Sequence, residues 1–227
     1  ANNYTEAGRP EDAVGHWHDA GLRACGRAAT LEAISHLSKA RELLASLPES
    51  PENRTQELDT LTALGPALIA SSGYAATEVK EAYTHALEIS QMLGEDTVEY
   101  FGALSGMWSY YSSAGPLTTA RKLAEQLVAT AEGLGDKRLQ LIARSMLADV
   151  VYNAGDFVGA VEHGRAGIAL EPALAGAESD AARDDAEMMC RIWASWALCR
   201  LGYLDDARTM ADAAFTHGMS RHSALVR

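Results

Sequence analysis

A glycine returns along this chain at intervals close to forty residues, each time followed by small residues at fixed offsets, and nothing else constrains its fold as tightly. The clearest copy runs from Arg138 to Pro172. Ala148 precedes Gly155 by seven residues, Phe157 follows two residues after the glycine, and Ala160, Gly164 and Gly167 come before Pro172 closes the unit. Gly155 permits a sharp turn where a side chain would meet an unfavourable positive φ. Asp156 is placed to cap the helix after it. Ala148, Ala160 and Gly167 are small where neighbouring helices must approach.

The same phase recurs. Gly202 is followed by Leu204, Ala207, Ala211 and Ala214, Gly115 by Leu117, Ala120 and Ala124, and Gly8 by Ala13, Trp17 and Ala20. Gly73-Tyr74 leads to Ala82 and Ala86 four residues late, and the copy through Gly21, Ala33, Leu37 and Ala40 has Ala28 at its turn. Gly73 to Gly115 is 42 residues, then 40 to Gly155 and 47 to Gly202, longer than the tetratricopeptide standard of about 34. The pattern resembles tetratricopeptide repeats with extended loops. It predicts an all-α, right-handed α-solenoid of antiparallel helix pairs, with about ten helices in a single domain spanning 1–227.

Apolar spacing agrees. Val79, Ala82, Tyr83, Ala86, Leu87 and Ile89 make one helical face, Leu123, Leu127, Ala131 and Leu134 another, and no run alternates as a strand should. Helices are predicted at 11–27, 30–47, 52–70, 77–93, 97–113, 116–133, 137–154, 157–170, 184–201 and 204–217. Ser50-Pro51 and Gly115-Pro116 read as caps with Pro at the first helical position, and Asp96 with Glu99 as a capping box. The chain opens without Met and in mid-element, and Ser220 to Arg227 look like the start of a further helix. An array cut at both ends is expected.

Composition narrows the function classes. Of 227 residues, 48% are hydrophobic, and no uncharged apolar run reaches the length of a membrane span. A net charge of −12 repels phosphate backbones, which disfavours nucleic acid as a partner. The densest acidic stretch, Glu178 to Glu187, reads as a solvated loop or helix start. Cys25, Cys190 and Cys199 lack metal-ligand spacing and fit a reduced, cytoplasmic protein with buried thiols.

Several strings carry a further resemblance. They include Tyr4-Thr5-Glu6-Ala7-Gly8, Ala13-Val14-Gly15-His16-Trp17, Leu64-Gly65-Pro66-Ala67-Leu68-Ile69-Ala70 with Gly73-Tyr74, and Leu104-Ser105-Gly106-Met107-Trp108. Together they resemble the helical-repeat C-terminal region of bacterial multidomain signalling ATPases, many of which carry an adenylate/guanylate cyclase domain. The resemblance implies a regulatory arm. The family's catalytic residues lie in other domains, and no phosphate loop of the form Gly-x4-Gly-Lys-[Ser/Thr] is present here.

No catalytic residue, cofactor or metal site is therefore assigned. His16 and His18 are two apart, so on a helix they diverge instead of converging on an ion. The candidate binding residues are those that repeat phase places along the groove: Ser109 and Ser112, then Asp149, Tyr152 and Asn153, then Trp196 and Arg200. Ser105, Ile142, Ser145, Met189 and Ile192 share that phase. Trp196 and Tyr152 are expected to be exposed, while most other aromatics belong to the core. The expected partner is a protein, a peptide or another domain of the same chain. A small-molecule inducer enclosed by the repeats is the alternative, and self-association of the array as a homodimer is a third reading.

Overall fold

The computed structural model describes residues 10–176 and 180–225, side chains at 217 and 220–225 excepted. The Tyr4–Gly8 string and the Gly8 turn, along with Glu178, Val226 and Arg227, lie outside the described residues. Among the described residues ten α-helices follow in order: α1 (Pro10–Gly26), α2 (Thr30–Leu44), α3 (Pro51–Ser72), α4 (Thr77–Leu93), α5 (Val98–Ala114), α6 (Leu117–Leu134), α7 (Lys137–Asn153), α8 (Phe157–Ile168), α9 (Ala181–Arg200) and α10 (Leu204–Leu225). A short 3-10 turn, Glu171–Leu174, precedes α9. Among the described residues there is no strand, and within each unit consecutive helices pack as antiparallel pairs in a tetratricopeptide-like fold.

The chain forms two compact units that meet in sequence at Gly115 and Pro116. The first holds α1 to α5 and the second α6 to α10. Helices two elements apart also touch: α1 with α3 and α3 with α5 in the first unit, α7 with α9 in the second. Within each unit the odd-numbered helices thus form one layer.

Small residues make this close packing possible. Ala82, Ala86 and Ala103 pack with Leu58, Leu61 and Ile89 in the first unit, all essentially removed from water. Each such leucine or isoleucine contributes roughly 1.5–3 kcal/mol by leaving water. In the second unit, a Cβ added to Gly164 would sit 2.6 Å from the Cys190 carbonyl oxygen, and one at Gly167 would sit 2.4 Å from Cys190 Sγ. Glycine spacing on α8 therefore sets how near α9 can come.

Three turns are built alike. After α7, the Gly155 amide donates to the Tyr152 carbonyl and the Asp156 amide to Val151; after α9, Gly202 donates to Cys199 and Tyr203 to Leu198. After α1, Ala28 donates to Cys25 and Ala29 to Ala24. This is the Schellman motif, which requires a left-handed residue just past the helix. Gly155 and Gly202 supply φ of +85° and +87°, and Ala28 is held at +55° in the same role. The Gly115 turn differs. Its φ is −108°, so it is not left-handed, and Pro116 precedes α6 as its cap residue instead of occupying its first turn.

Side-chain caps fix the helix starts. Ser50, Asp136 and Asp156 accept the amides of Asn53, Leu139 and Gly159 at 2.9–3.1 Å. Thr97, one residue after the expected Asp96, caps α5 by accepting the Tyr100 amide at 3.1 Å. Asp180 accepts from Arg183, which starts α9 three residues ahead of the expected position. α10 continues unbroken to Leu225, so the backbone from Ser220 to Leu225 extends that helix and does not open another.

Two further expectations are corrected. Cys190 is buried, but Cys25 and Cys199 are exposed. The acidic stretch is not wholly solvated: Glu187 is 2% exposed and pairs with the equally buried Arg183, whose Nε donates at 2.8 Å. A buried carboxylate requires such a partner.

Candidate functional site

Side by side, α7 and α9 present a face where aromatic and ionisable side chains converge. Tyr152 lies in the last turn of α7, and Trp193 and Trp196 lie one turn apart on α9. Their ring centres are 5.3 Å apart for Tyr152 and Trp193, 6.0 Å for Tyr152 and Trp196, and 5.2 Å for the two tryptophans, which meet edge to face. Phe157, at the start of α8, closes the cluster at 5.4 Å from Tyr152. Such contacts add about 0.5–1.5 kcal/mol each beyond simple burial, so the plate is rigid. Trp196 forms its outer surface and is 52% exposed. Arg200 lies one turn beyond, and the neighbouring Tyr152 hydroxyl raises its guanidinium pKa.

Asp149 lies one turn before Tyr152, half-buried. Asn153 Nδ2 donates to its Oδ1 at 2.6 Å and to its carbonyl at 3.0 Å. No cation pairs with Asp149 among the described residues. Burial pushes its carboxyl up to about 6 despite the Asn153 hydrogen bond. An ionised carboxylate so placed gains from any cation that docks beside it.

On its other side, Trp196 borders an apolar cleft between α9 and α10, with a volume near 360 Å³, where Met188, Ile192, Phe215 and Met219 also line the wall. Phe215 and Met219 are 70% and 56% exposed. The plate and the cleft thus share one tryptophan.

The structure gathers Asp149, Tyr152, Asn153, Trp196 and Arg200 on this face. Ser109 and Ser112 lie apart, on α5 of the first unit, half-buried, with their hydroxyls donating to the carbonyls of Ser105 and Ser109 at 3.0 and 3.1 Å. Ile142 and Ser145, in phase with the groove, are buried. Sequence phase missed Met188, which lines the cleft one residue before the expected Met189, and gave no sign that Phe157 reaches across from α8. His18 points to Thr60, with Nδ1 and Oγ1 3.1 Å apart. Among the described residues no cluster of His, Cys, Asp or Glu is arranged to hold a metal ion, and no helix is long and apolar enough to cross a membrane.

No family model matches the chain. A stretch of 110 residues is 32% identical to an uncharacterised protein of Rhizobium meliloti, covering 48% of this chain and 11% of that protein. The chain therefore spans only a small part of that relative. Among solved structures, the nearly identical TPR-like repeats of a Podosopora anserina kinesin light chain protein superimpose with a TM-score of 0.72 over 95% of this chain and 98% of that one, at 17% identity. A Rap protein complexed with Competence and Sporulation Factor gives 0.68 over 91% of this chain and 54% of that one, at 14% identity. NprR in complex with its cognate peptide NprX gives 0.64 over 90% and 55%, at 16% identity. These likenesses establish the tetratricopeptide-like fold. They provide no evidence for a cyclase parent.

Proposed function

We propose that this chain is a non-catalytic recognition module whose α7–α9 face binds a peptide or helix carrying a large apolar side chain next to a basic one. The observation that carries the reading is Trp196. It is half in solvent, rests on a rigid aromatic plate, and stands between an apolar cleft and a face bearing a carboxyl without a cationic partner. Exposed, well-supported tryptophans are the usual anchors of binding surfaces. The cleft takes the apolar side chain, Asp149 the basic one, and Arg200 and Asn153 supply polar contacts at the rim. Two of the fold neighbours are complexes, one of them with a peptide, which supports this use of the fold.

The wider role proposed is regulatory. The resemblance to repeat regions of cyclase-type signalling ATPases supports a module that senses a partner and restrains or releases other domains. The Rhizobium meliloti relative, in which the matched stretch is 11% of the protein, carries such a segment within a much longer chain.

A random dodecapeptide display library, selected against the whole chain, tests the binding face. Selected peptides should pair a basic with a large apolar residue. Trp196→Ala should weaken them by about 30-fold, the loss of a hot spot worth about 2 kcal/mol, while circular dichroism shows an unchanged helix content. Peptides that bind wild type and Trp196→Ala equally well would sink the proposal.

A further inference from the structure

The first unit contains a cavity of about 670 Å³ between α3 and α5, well apart in sequence from the aromatic face. Its walls are Thr62, Pro66 and Ile69 of α3 and Gly102, Ser105 and Ser109 of α5. Tyr83, reaching in from α4, forms the floor, and Tyr74 stands at the rim. The cavity exists because α5 places small residues at i, i+3, i+4 and i+7, here Gly102, Ser105, Gly106 and Ser109. A row of small residues alone signifies only close packing; here the Tyr83 ring also lies beneath it.

Tyr83 is 5% exposed, yet its hydroxyl has no hydrogen-bond partner among the described residues. Its ring is clamped between two glycines. A Cβ on Gly65 would fall 2.3 Å from the hydroxyl oxygen, and a Cβ on Gly106 would fall 2.0 Å from the opposite ring edge. The phenol is therefore fixed in place, with its hydroxyl open to the cavity. An acceptor on a ligand in the cavity would take up this donor in place of water. Burial pushes its pKa up to about 12, so it remains a donor throughout the physiological range.

Apart from the Tyr74 hydroxyl at the rim, the remaining polar groups accept. Pro66 brings no N–H to the Thr62 carbonyl four residues back, which frees that oxygen from the helix ladder. The Ser105 and Ser109 hydroxyls already donate to their own helix, at 2.8 and 3.0 Å, and keep only acceptor capacity. No charged side chain lines the space. A charged ligand would find no counter-charge there. The volume lies in the range of about 300–1,000 Å³ typical of small-molecule sites, and one amino-acid side chain would leave most of it unfilled.

We infer that this cavity is a binding site for an uncharged, largely apolar small molecule that presents a carbonyl or similar acceptor to the Tyr83 hydroxyl. The site is independent of the peptide face, so the chain carries two kinds of recognition.

Prodan tests the assignment. It is a neutral naphthalene ketone whose emission reports both the polarity around it and hydrogen bonding to its carbonyl. Titrated into the intact chain, it should bind saturably at one site with blue-shifted emission. Tyr83→Phe keeps the shape and removes the donor. It should weaken binding about fivefold, the loss of one hydrogen bond, and shift the bound emission further to the blue. Ser109→Leu fills the space and should abolish binding, with the helix content of both variants unchanged. Non-saturable uptake, or saturable binding that neither substitution alters, would overturn the inference. So would binding that survives both substitutions but is lost in Phe215→Ala, because the probe would then occupy the α9–α10 cleft.

Discussion

α5 and α9 each belong to the odd-helix layer of their own unit, and they use that position in opposite ways. Along α5 the positions facing α3 are Gly102, Ser105, Gly106 and Ser109, and the space they leave is a cavity floored by one tyrosine. Along α9 the corresponding positions carry Met189, Ile192, Trp193 and Trp196, and the tryptophan rings pack edge to face and against Tyr152. The backbone frame is the same; side-chain volume decides whether it encloses a ligand or displays a surface. Repeat phase therefore fixes which residues face a groove, and the size of those residues fixes what the groove can hold.

That contrast can be broken by enlarging one glycine. Gly106→Leu drives a side chain into the Tyr83 ring, since even the first carbon would lie 2.0 Å away. It should destabilise the chain by about 3 kcal/mol, read as a lower urea midpoint. Gly133 near the end of α6, where an added Cβ meets nothing within 4 Å, should tolerate Ala and gain up to about 1 kcal/mol. Equal effects at the two sites would show that Tyr83 is not clamped.

The charged half of the comparison has a pH signature. Asp149 has a folded pKa of about 6, above its ordinary value of 3.8. Its stabilising contribution is thus complete below about pH 4 and is lost as pH rises through 6. Wild type should lose about 2 kcal/mol at this site between pH 4 and 7.5, a value reduced from the full shift by partial solvent screening. Asp149→Asn should remove that slope in urea titrations run at both pH values. An unchanged slope would mean that the carboxyl is well solvated.

A smaller effect sharpens the turn comparison. Ala28 fills a position that Gly155 and Gly202 fill elsewhere, at a φ of +55°. Ala28→Gly should stabilise the chain by about 1 kcal/mol in thermal denaturation, because left-handed backbone penalises any Cβ. No gain would show that the alanine turn is relaxed.

Most of the fold could be read from the sequence because its signals are local. The helix expected at 77–93 is α4, and Ser50 and Asp156 cap as their spacing implied. One error arose where a residue's partner is distant. Asp180 starts α9 early while also pairing with Arg138 across 42 residues, with Arg138 Nη2 2.9 Å from Oδ1. That pair holds the Asp180 carboxyl down at about 2. Glu187 looked solvated because Arg183, its neighbour on the same helix, gave no sign that both are buried. The site was legible in part. Repeat phase brought Asp149, Tyr152, Asn153, Trp196 and Arg200 to one face, but it also selected Ser109 and Ser112, which are bonded to their own helix. The Tyr83 cavity was not legible, because it depends on glycines from α3 and α5 meeting either side of a ring from α4.

The most direct test of the aromatic face uses the chain's four tryptophans, Trp17, Trp108, Trp193 and Trp196, as reporters. Indole N–H resonances would be followed by NMR as a library-selected peptide is titrated into the intact chain. The account predicts that Trp193 and Trp196 shift progressively to saturation while Trp17 and Trp108 stay in place. Movement of Trp17 or Trp108, with Trp193 and Trp196 unmoved, would contradict it.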